Sequence, residues 1–406
     1  MANSFAADFP EIWSRVQQTQ FFKETVAVAI CDVSAKSQMS KGDTFNKPYR
    51  SSNSVQTYTR GTSIDIDDKT DTQEQLSITS QYATGFYIDD MDTIQSNYDL
   101  IAQYAKDDAD LLNIQIDGDV LGEYSNATST VDDGSIGGTA GNPIVLSTSN
   151  VSAVFGSAHA KLAKQNISMK GKFAVLSPEF ENILVQFGAG RDTANADGVQ
   201  NNGFIGKFYG FDLYTSNNLS GEVVLSVATD FTAADTVVID GITFTAQSTI
   251  GSTAGNFLVG TSADASRLTL AGLINAPTTT SASQVALSAE NARRVGRNWT
   301  ATDAATANTL TIVCKGVGTL VVSETLTDAT DGFTKEIQHN LMGIKGAISL
   351  VVQKAPMPKV KDVETKMGSN ILNAILYGIK TFNDGAKQLV DVQIDSTTFT
   401  AGAANI

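Results

Sequence analysis

Apolar residues change their spacing several times along the chain, and each change marks a different kind of element. Residues 10–22, PEIWSRVQQTQFF, carry Ile12, Trp13 and Val16 at helical spacing, with Pro10 placed for a first turn. TVAVAICDV (25–33) reads as a buried strand. After SKGDTFNKPYR, residues 46–85 are polar, with alternating pieces such as TSIDID and QLSITS. This pattern predicts an extended β-hairpin arm whose polar faces are not covered by the subunit's own core. From Asp90 the period becomes helical, with Met91, Ile94, Tyr98, Ile101, Ala105, Ala109, Leu112, Ile116 and Val120 at steps of three or four. One helix of about 33 residues, a rod of roughly 50 Å, is predicted here. Asp89, Asp90 and Asp92 stand where a cap and first-turn acids favour the helix dipole.

Gly, Ser, Thr and Asn dominate 125–148, which reads as a loop, and SNVSAVFGSAHAKLAKQN (149–166) reads as a helix with a Ser or Asn cap. FAVLSPEFENILVQF predicts a strand, a proline at a helix start and the helix itself, followed by a Gly- and Asn-rich loop at 188–210. Between 221 and 332 the composition shifts to Thr, Ala, Ser and Val, with no Tyr and a single proline, Pro277. DTVVIDGITFTA sets Asp-Gly between two β-branched runs, a strong hairpin signal, and NTLTIVCKGVGTLVVSETL supplies two more strands. Short helices are predicted at 263–275 and 283–295. The segment reads as a separate β-rich domain inserted into a host whose core joins FIGKFYGFDLYTSNNL to KEIQHNLMGIKGAISLVVQ. The tail from Ala355 returns to β structure, with a turn at Asp384-Gly385 and KAPMPKVK as an extended connector. The fold class is α+β, and 406 residues are enough for two or three domains.

Charge sharpens this picture. The formal net charge is −15, from 28 Lys plus Arg against 43 Asp plus Glu, so affinity for phosphate backbones through counterion release is disfavoured. Residues 60–124 hold 15 acids against 3 bases, whereas 334–390 hold 8 bases against 4 acids. Opposite patches on identical subunits can steer docking and fix register.

Little here predicts chemistry. Cys31, Cys314, His159 and His339 show no paired metal-ligand spacing, and the cysteines read as small apolar thiols in a reducing compartment. Neither histidine neighbours a nucleophile elbow, so both read as structural or surface residues. Asp65, Asp67, Asp68 and Asp71 suggest a calcium loop, but Thr70 and Leu76 stand where an EF-hand needs Gly and Glu, so a solvated face is favoured. GSIGGTAG (134–141) has no strand before it and no Lys after it, which favours a surface loop over a phosphate cradle. Asn126, Asn150, Asn166, Asn218 and Asn298 head sequons that read as chance matches, because MANSFAADFPEIW lacks the features of a secretory signal. No stretch is apolar for the about 20 residues a bilayer requires, and cytoplasmic synthesis is expected. Catalytic, cofactor-binding and metal-binding residues are expected to be none.

Taken in order, PEIWS (10–14), KGDTF (41–45), the polar arm, FYIDDMDTIQSNYDLIAQYAKDDADLLNIQIDGDVL (86–121), GIKGAISLVVQ and LYGIKTFNDG (376–385) resemble a tailed-bacteriophage major capsid protein of the HK ninety-seven fold. The likeness spans about 5–220 and 334–400. It implies an N-terminal arm at 1–45, an extended hairpin loop at 46–88, and a peripheral domain with a spine helix at 89–148 and 355–406. An axial domain would take 149–220 and 334–354, and a β-rich insertion domain 221–333. The implied function is a non-enzymatic coat subunit that self-assembles as hexamers and pentamers into an icosahedral head around double-stranded DNA. A tail tube or surface-layer subunit is the alternative. The implied partners are further copies of itself, a portal, a decoration protein, and DNA held without sequence-specific contacts, with no membrane. The implied location is the virion, assembled in the host cytoplasm. The chain starts at the arm without a charged helical leader, which implies a separate scaffolding protein or none. Some members join an extended-loop Lys to a neighbour's Asn, and Lys69 with Asn370 or Asn373 would be the counterpart here.

Overall fold

A computed structural model describes residues 22–37, 39, 42–50, 52–66, 68–95, 100–189, 206–318, 320–328 and 330–396 of the chain. PEIWS and nearly all of the helix expected at 10–22, most of the loop expected at 188–210, Tyr98 and Asp67 lie outside the described residues.

A single helical turn, α1 (Ala27–Ile30), comes first, then β1 (Thr44–Arg50), β2 (Asp71–Ser77) and β3 (Ser80–Asp89). Helices α2 (Asp90–Gln95) and α3 (Leu100–Leu121) precede β4 (Ser129–Val131), α4 (Val151–Ala163), β5 (Lys172–Leu176) and α5 (Pro178–Ala189). Strands β6 (Lys207–Phe208), β7 (Phe211–Thr215), β8 (Ser220–Ser226), β9 (Thr236–Ile239), β10 (Ile242–Gln247) and β11 (Asn256–Leu258) lead to α6 (Ala263–Asn275) and α7 (Ala289–Asn298). The chain ends in β12 (Trp299–Ala304), β13 (Thr309–Cys314), β14 (Val322–Glu324), β15 (Gly332–Ile344), β16 (Ile348–Lys354), β17 (Lys359–Asp362), β18 (Gly368–Thr381), α8 (Asn383–Ala386) and β19 (Leu389–Asp395).

Local chemistry explains many of these boundaries. Ser177 Oγ accepts from Phe180 N (3.2 Å) ahead of Pro178, so α5 starts with a capping hydroxyl and a residue that needs no amide partner. Ser262 and Ser288 cap α6 and α7 in the same way. Asp240 and Gly241 turn at φ +48° and +76°, and Ile239 faces Ile242, as a two-residue hairpin turn requires. Asp89 Oδ1 accepts from Met91 N (3.0 Å), the expected acid at the start of α2. The long rod is realised as α2 and α3, with 96–99 outside the described residues. Its 22-residue part spans about 33 Å. Ala105, Leu112, Ile116 and Val120 are buried, while Met91 and Ile94 are exposed.

TVAVAICDV is not a strand. Val26, Ala27 and Ile30 are buried and Val28 is exposed, a helical rather than alternating pattern. The reason is tertiary: Asp117 Oδ1 on α3 accepts from Val26 N (2.8 Å) and Ala27 N (2.7 Å), which supplies the acceptor that the first amides of α1 lack. Only Asp32 forms a bridge, with Ser349.

Three larger sheets organise the rest. The widest runs β12-β13-β8-β15-β5-β7-β6, with β19 and β4 also joined through β15. A second, β16-β18-β17 with β3 on β18, carries α3. A third, β11-β10-β9-β14, lies wholly within 236–324. The segment expected as a separate insert has its own core, from Val223 to Leu320, including Phe244, Phe257 and Trp299. Its other strands are not separate from the host, because β8, β13 and β12 continue the host sheet through β15. The turn at Gly346 (φ +88°) passes the chain between sheets. Accordingly β16, expected with the axial segments, pairs with β18, and β19, expected with the peripheral tail, pairs with β15.

Candidate assembly surfaces

Strands β1 and β2 pair from Thr44↔Ser77 to Arg50↔Asp71 in a sheet of two. Its root is fixed: Leu76 and Ile78 pack with Ala35, Met39, Val351 and Phe382, and Lys47 pairs with Asp384 at 2.6 Å. Beyond the root, every described residue from 52 to 73 is exposed. Val55 is 101% and Ile66 87% exposed, and Tyr58 and Ile64 also protrude. Gln56 ties the loop together, its Nε2 donating to Asp65 O (3.0 Å) and its Oε1 accepting from Asp65 N (3.2 Å). The loop is thus shaped without a core. Covering a Val, Tyr or Ile of this kind is worth about 1.5–3 kcal/mol each, which a neighbour could supply.

A cleft of about 1270 Å³ separates α3 and β3 from α7. Leu111, Gln115, Gly118 and Ala83 line one wall, and Arg293, Arg294, Arg297, Lys315 and Lys23 contribute cations to the other. Arg294 pairs with Asp240, and Lys23 Nζ donates to Gly316 O at 2.7 Å. Burial and the neighbouring Arg294 lower the Lys23 pKa.

The acids and glycines singled out in sequence do not assemble a site. Asp65, Asp68 and Asp71 lie exposed on the hairpin, and no group of three metal-ligating residues occurs among the described residues. In the 134–141 loop the amides are met by the chain's own carboxylates. Asp133 Oδ2 accepts from Thr139 N (2.8 Å) and Asp132 Oδ2 from Gly141 N (2.6 Å), which fills the place an anion would take. Lys69 is exposed, whereas Asn373 is buried and donates to Ala105 O (3.3 Å), which puts it out of a neighbour's reach. Asn370, on the same strand, is half-buried.

Both histidines have a charged partner within the fold. His159 Nδ1 lies 3.0 Å from Lys172 Nζ, and burial with that ammonium lowers its pKa. His339 is 2% exposed on β15. Its Nδ1 stands 3.0 Å from both Asp391 oxygens, its Nε2 3.5 Å from Glu222, and its ring stacks on Tyr124 at 3.7 Å. Burial opposes its charging, but Asp391 and Glu222 outweigh burial and take the pKa to about 9. Burial pushes both cysteine thiols well up, so neither is a ready nucleophile.

Among the buried charged groups that the reading of the sequence passed over, Asp117 and Arg267 hold distant segments together. Asp117 anchors α1 and also accepts from Asn218 Nδ2 (3.1 Å). Arg267 is fully buried, its Nε donating to Asp303 (2.8 Å), its Nη1 to Val227 O (2.5 Å) and its Nη2 to Asp264. The available signal was a lone charge within a buried helical stripe, beside Ile116 and Val120 for Asp117 and beside Leu270 for Arg267.

The family model described as phage capsid protein matches residues 73–261. No curated protein matches the chain. Among solved structures, a protein of Mycobacterium phage Che8 is similar at 15% identity and a TM-score of 0.59, covering 98% of this chain and 99% of that one. The capsid of the cyanophage P-SCSP1u is similar at 12% identity and a TM-score of 0.55, covering 96% and 94%. The mature capsid of bacteriophage PhiM1 is similar at 9% identity and a TM-score of 0.53, covering 95% and 92%. The chain therefore has the fold of phage capsid proteins, and the resemblance drawn from its sequence holds at that level.

Proposed function

We infer that the chain is the major capsid protein of a tailed phage, a structural subunit that self-assembles into the shell of the virion and performs no catalysis. The observation that carries this reading is the hairpin that leaves the body and exposes every described residue from 52 to 73, on a fold shared with phage capsids. Such an element gains stability only from a neighbour, and identical contacts repeated by symmetry close a shell.

The finer assignment follows the same logic. Residues 1–45 serve as the arm, 46–88 as the extended loop, α3 as the spine of a peripheral unit, and β15 with its neighbours as the axial unit. The 221–333 segment lies between capsomers or receives a decoration protein. Subunits group as hexamers and pentamers in an icosahedral head with a portal and a separate scaffolding protein, around double-stranded DNA bound without sequence-specific contacts. Assembly takes place in the host cytoplasm.

Electron microscopy of the purified chain, with and without scaffold and across salt concentrations, tests the reading. Closed shells built of rings of six and five are expected. Persistent monomers, open tubes or planar sheets would overturn it.

A further inference from the structure

We propose that the basic cleft between α3 and α7 receives the acidic tip of the hairpin loop, residues 62–71, from a second copy of this chain. The proposal rests on the capsid reading and adds to it the receptor for the loop.

The cleft is made for an anionic chain segment rather than a small ligand. Its volume of about 1270 Å³ exceeds the about 300–1,000 Å³ of small-molecule pockets. Arg293 and Arg297 stand four residues apart on α7, both exposed, and Lys315 and Lys23 line the same opening. Cations gathered at one opening repel one another. An incoming carboxylate relieves that repulsion. The opposite wall is apolar where it matters, with Leu111 48% exposed beside Ala83.

The loop has the matching alternation. In TSIDIDD, Ile64 and Ile66 fall on one face of an extended segment and Asp65 on the other, with Asp68 and Asp71 following. Laid along the cleft, one face meets Leu111 and the other meets the arginines. Ile64 and Ile66 are 61% and 87% exposed, so the segment is available in the free subunit. In a chain of net charge −15, this cleft is a concentrated basic counterpart to the acidic loop.

Charge reversal on full-length chains tests the pairing. Arg293→Glu with Arg297→Glu, and separately Asp65→Lys with Asp68→Lys, are each expected to lower shell yield at least tenfold. Both pairs change exposed residues, and an unchanged melting temperature verifies the fold. The four-residue swap is expected to restore assembly. Carbodiimide coupling on shells mixed from ¹⁴N and ¹⁵N subunits is expected to join Lys23 or Lys315 of one isotope to Asp65 or Asp68 of the other. Normal shells from the reversed variants, or no rescue by the swap, would overturn this proposal while leaving the capsid reading in place. Coupling of Lys23 or Lys315 to Asp8 or Glu11 would overturn it in favour of the chain's own first residues. Normal shells with reduced DNA retention would overturn it in favour of nucleic acid. A wild-type chain that never forms shells would overturn both readings.

Discussion

Between pH 6.5 and 9.5 the stability of the unassembled subunit should depend on one imidazole. His339 sits charged between Asp391 and Glu222 and lies flat on Tyr124, with 2% of its surface exposed. Its pKa rises from 6.5 to about 9, because the two carboxylates outweigh the burial that opposes charging. At 1.36 kcal/mol per unit, the folded state gains at most about 3 kcal/mol from protonation. The pKa is raised on folding, so this contribution is complete below about pH 6.5 and is lost as the pH climbs through about 9. The perturbation is His339→Gln, which keeps a polar side chain but cannot carry the charge. Urea unfolding at steps between pH 6 and 10 measures the effect. The wild-type midpoint should fall by about 1 M across pH 7–9.5, taking an m-value of roughly 2–3 kcal/mol/M. The variant should be weaker at pH 6 by about 3 kcal/mol, because Asp391 is left with only the Gln393 amide (3.2 Å), and nearly flat to pH 9.5. Parallel wild-type and variant profiles, or a wild-type profile that is flat across the window, would refute the argument.

Three other changes test the architecture. Arg267→Met leaves Asp303 and Val227 O without their buried partner, so a loss of about 3–5 kcal/mol is expected, read as a calorimetric transition that moves down in temperature. Asp117→Ala removes the acceptor for Val26 N and Ala27 N and should cost about 1–3 kcal/mol. Limited proteolysis should then cut near Lys23 at least several-fold faster than in the wild type, with equal rates counting against the anchor. Deleting 222–332 strips most of β8 and all of β13 from the sheet and leaves an edge of β15 bare. The product should partition into the insoluble fraction, whereas a soluble, monodisperse subunit would show that the sheet does not need those strands.

Elements whose signal is local were legible in the sequence. Pro178 after a buried run, Asp240-Gly241 between β-branched runs, and the 3.6-residue stripe of Ala105, Leu112, Ile116 and Val120 each carry their own backbone preference or solvent-facing pattern, and α5, the β9–β10 hairpin and α3 formed where those signals lie. The exposed hairpin was legible for the converse reason, since a polar stretch of that length has nothing to bury. The candidate docking cleft was not legible. Its cations come from Lys23 on one side and from α7 and Lys315, far from it in sequence, on the other, and only the tertiary fold brings them to one opening.

The sequence by itself determined the outline of the protein: an α+β chain with a projecting polar arm, a long amphipathic helix and a charge split between its parts. Tertiary structure decided what depends on distant partners. Asp117 turned TVAVAICDV from an expected strand into a helical turn, because a carboxylate 90 residues away satisfied its first amides. The edge of β15 drew β8 and β13 into the host sheet, because a strand edge pairs with whatever strand reaches it, whatever the composition of the segment around it.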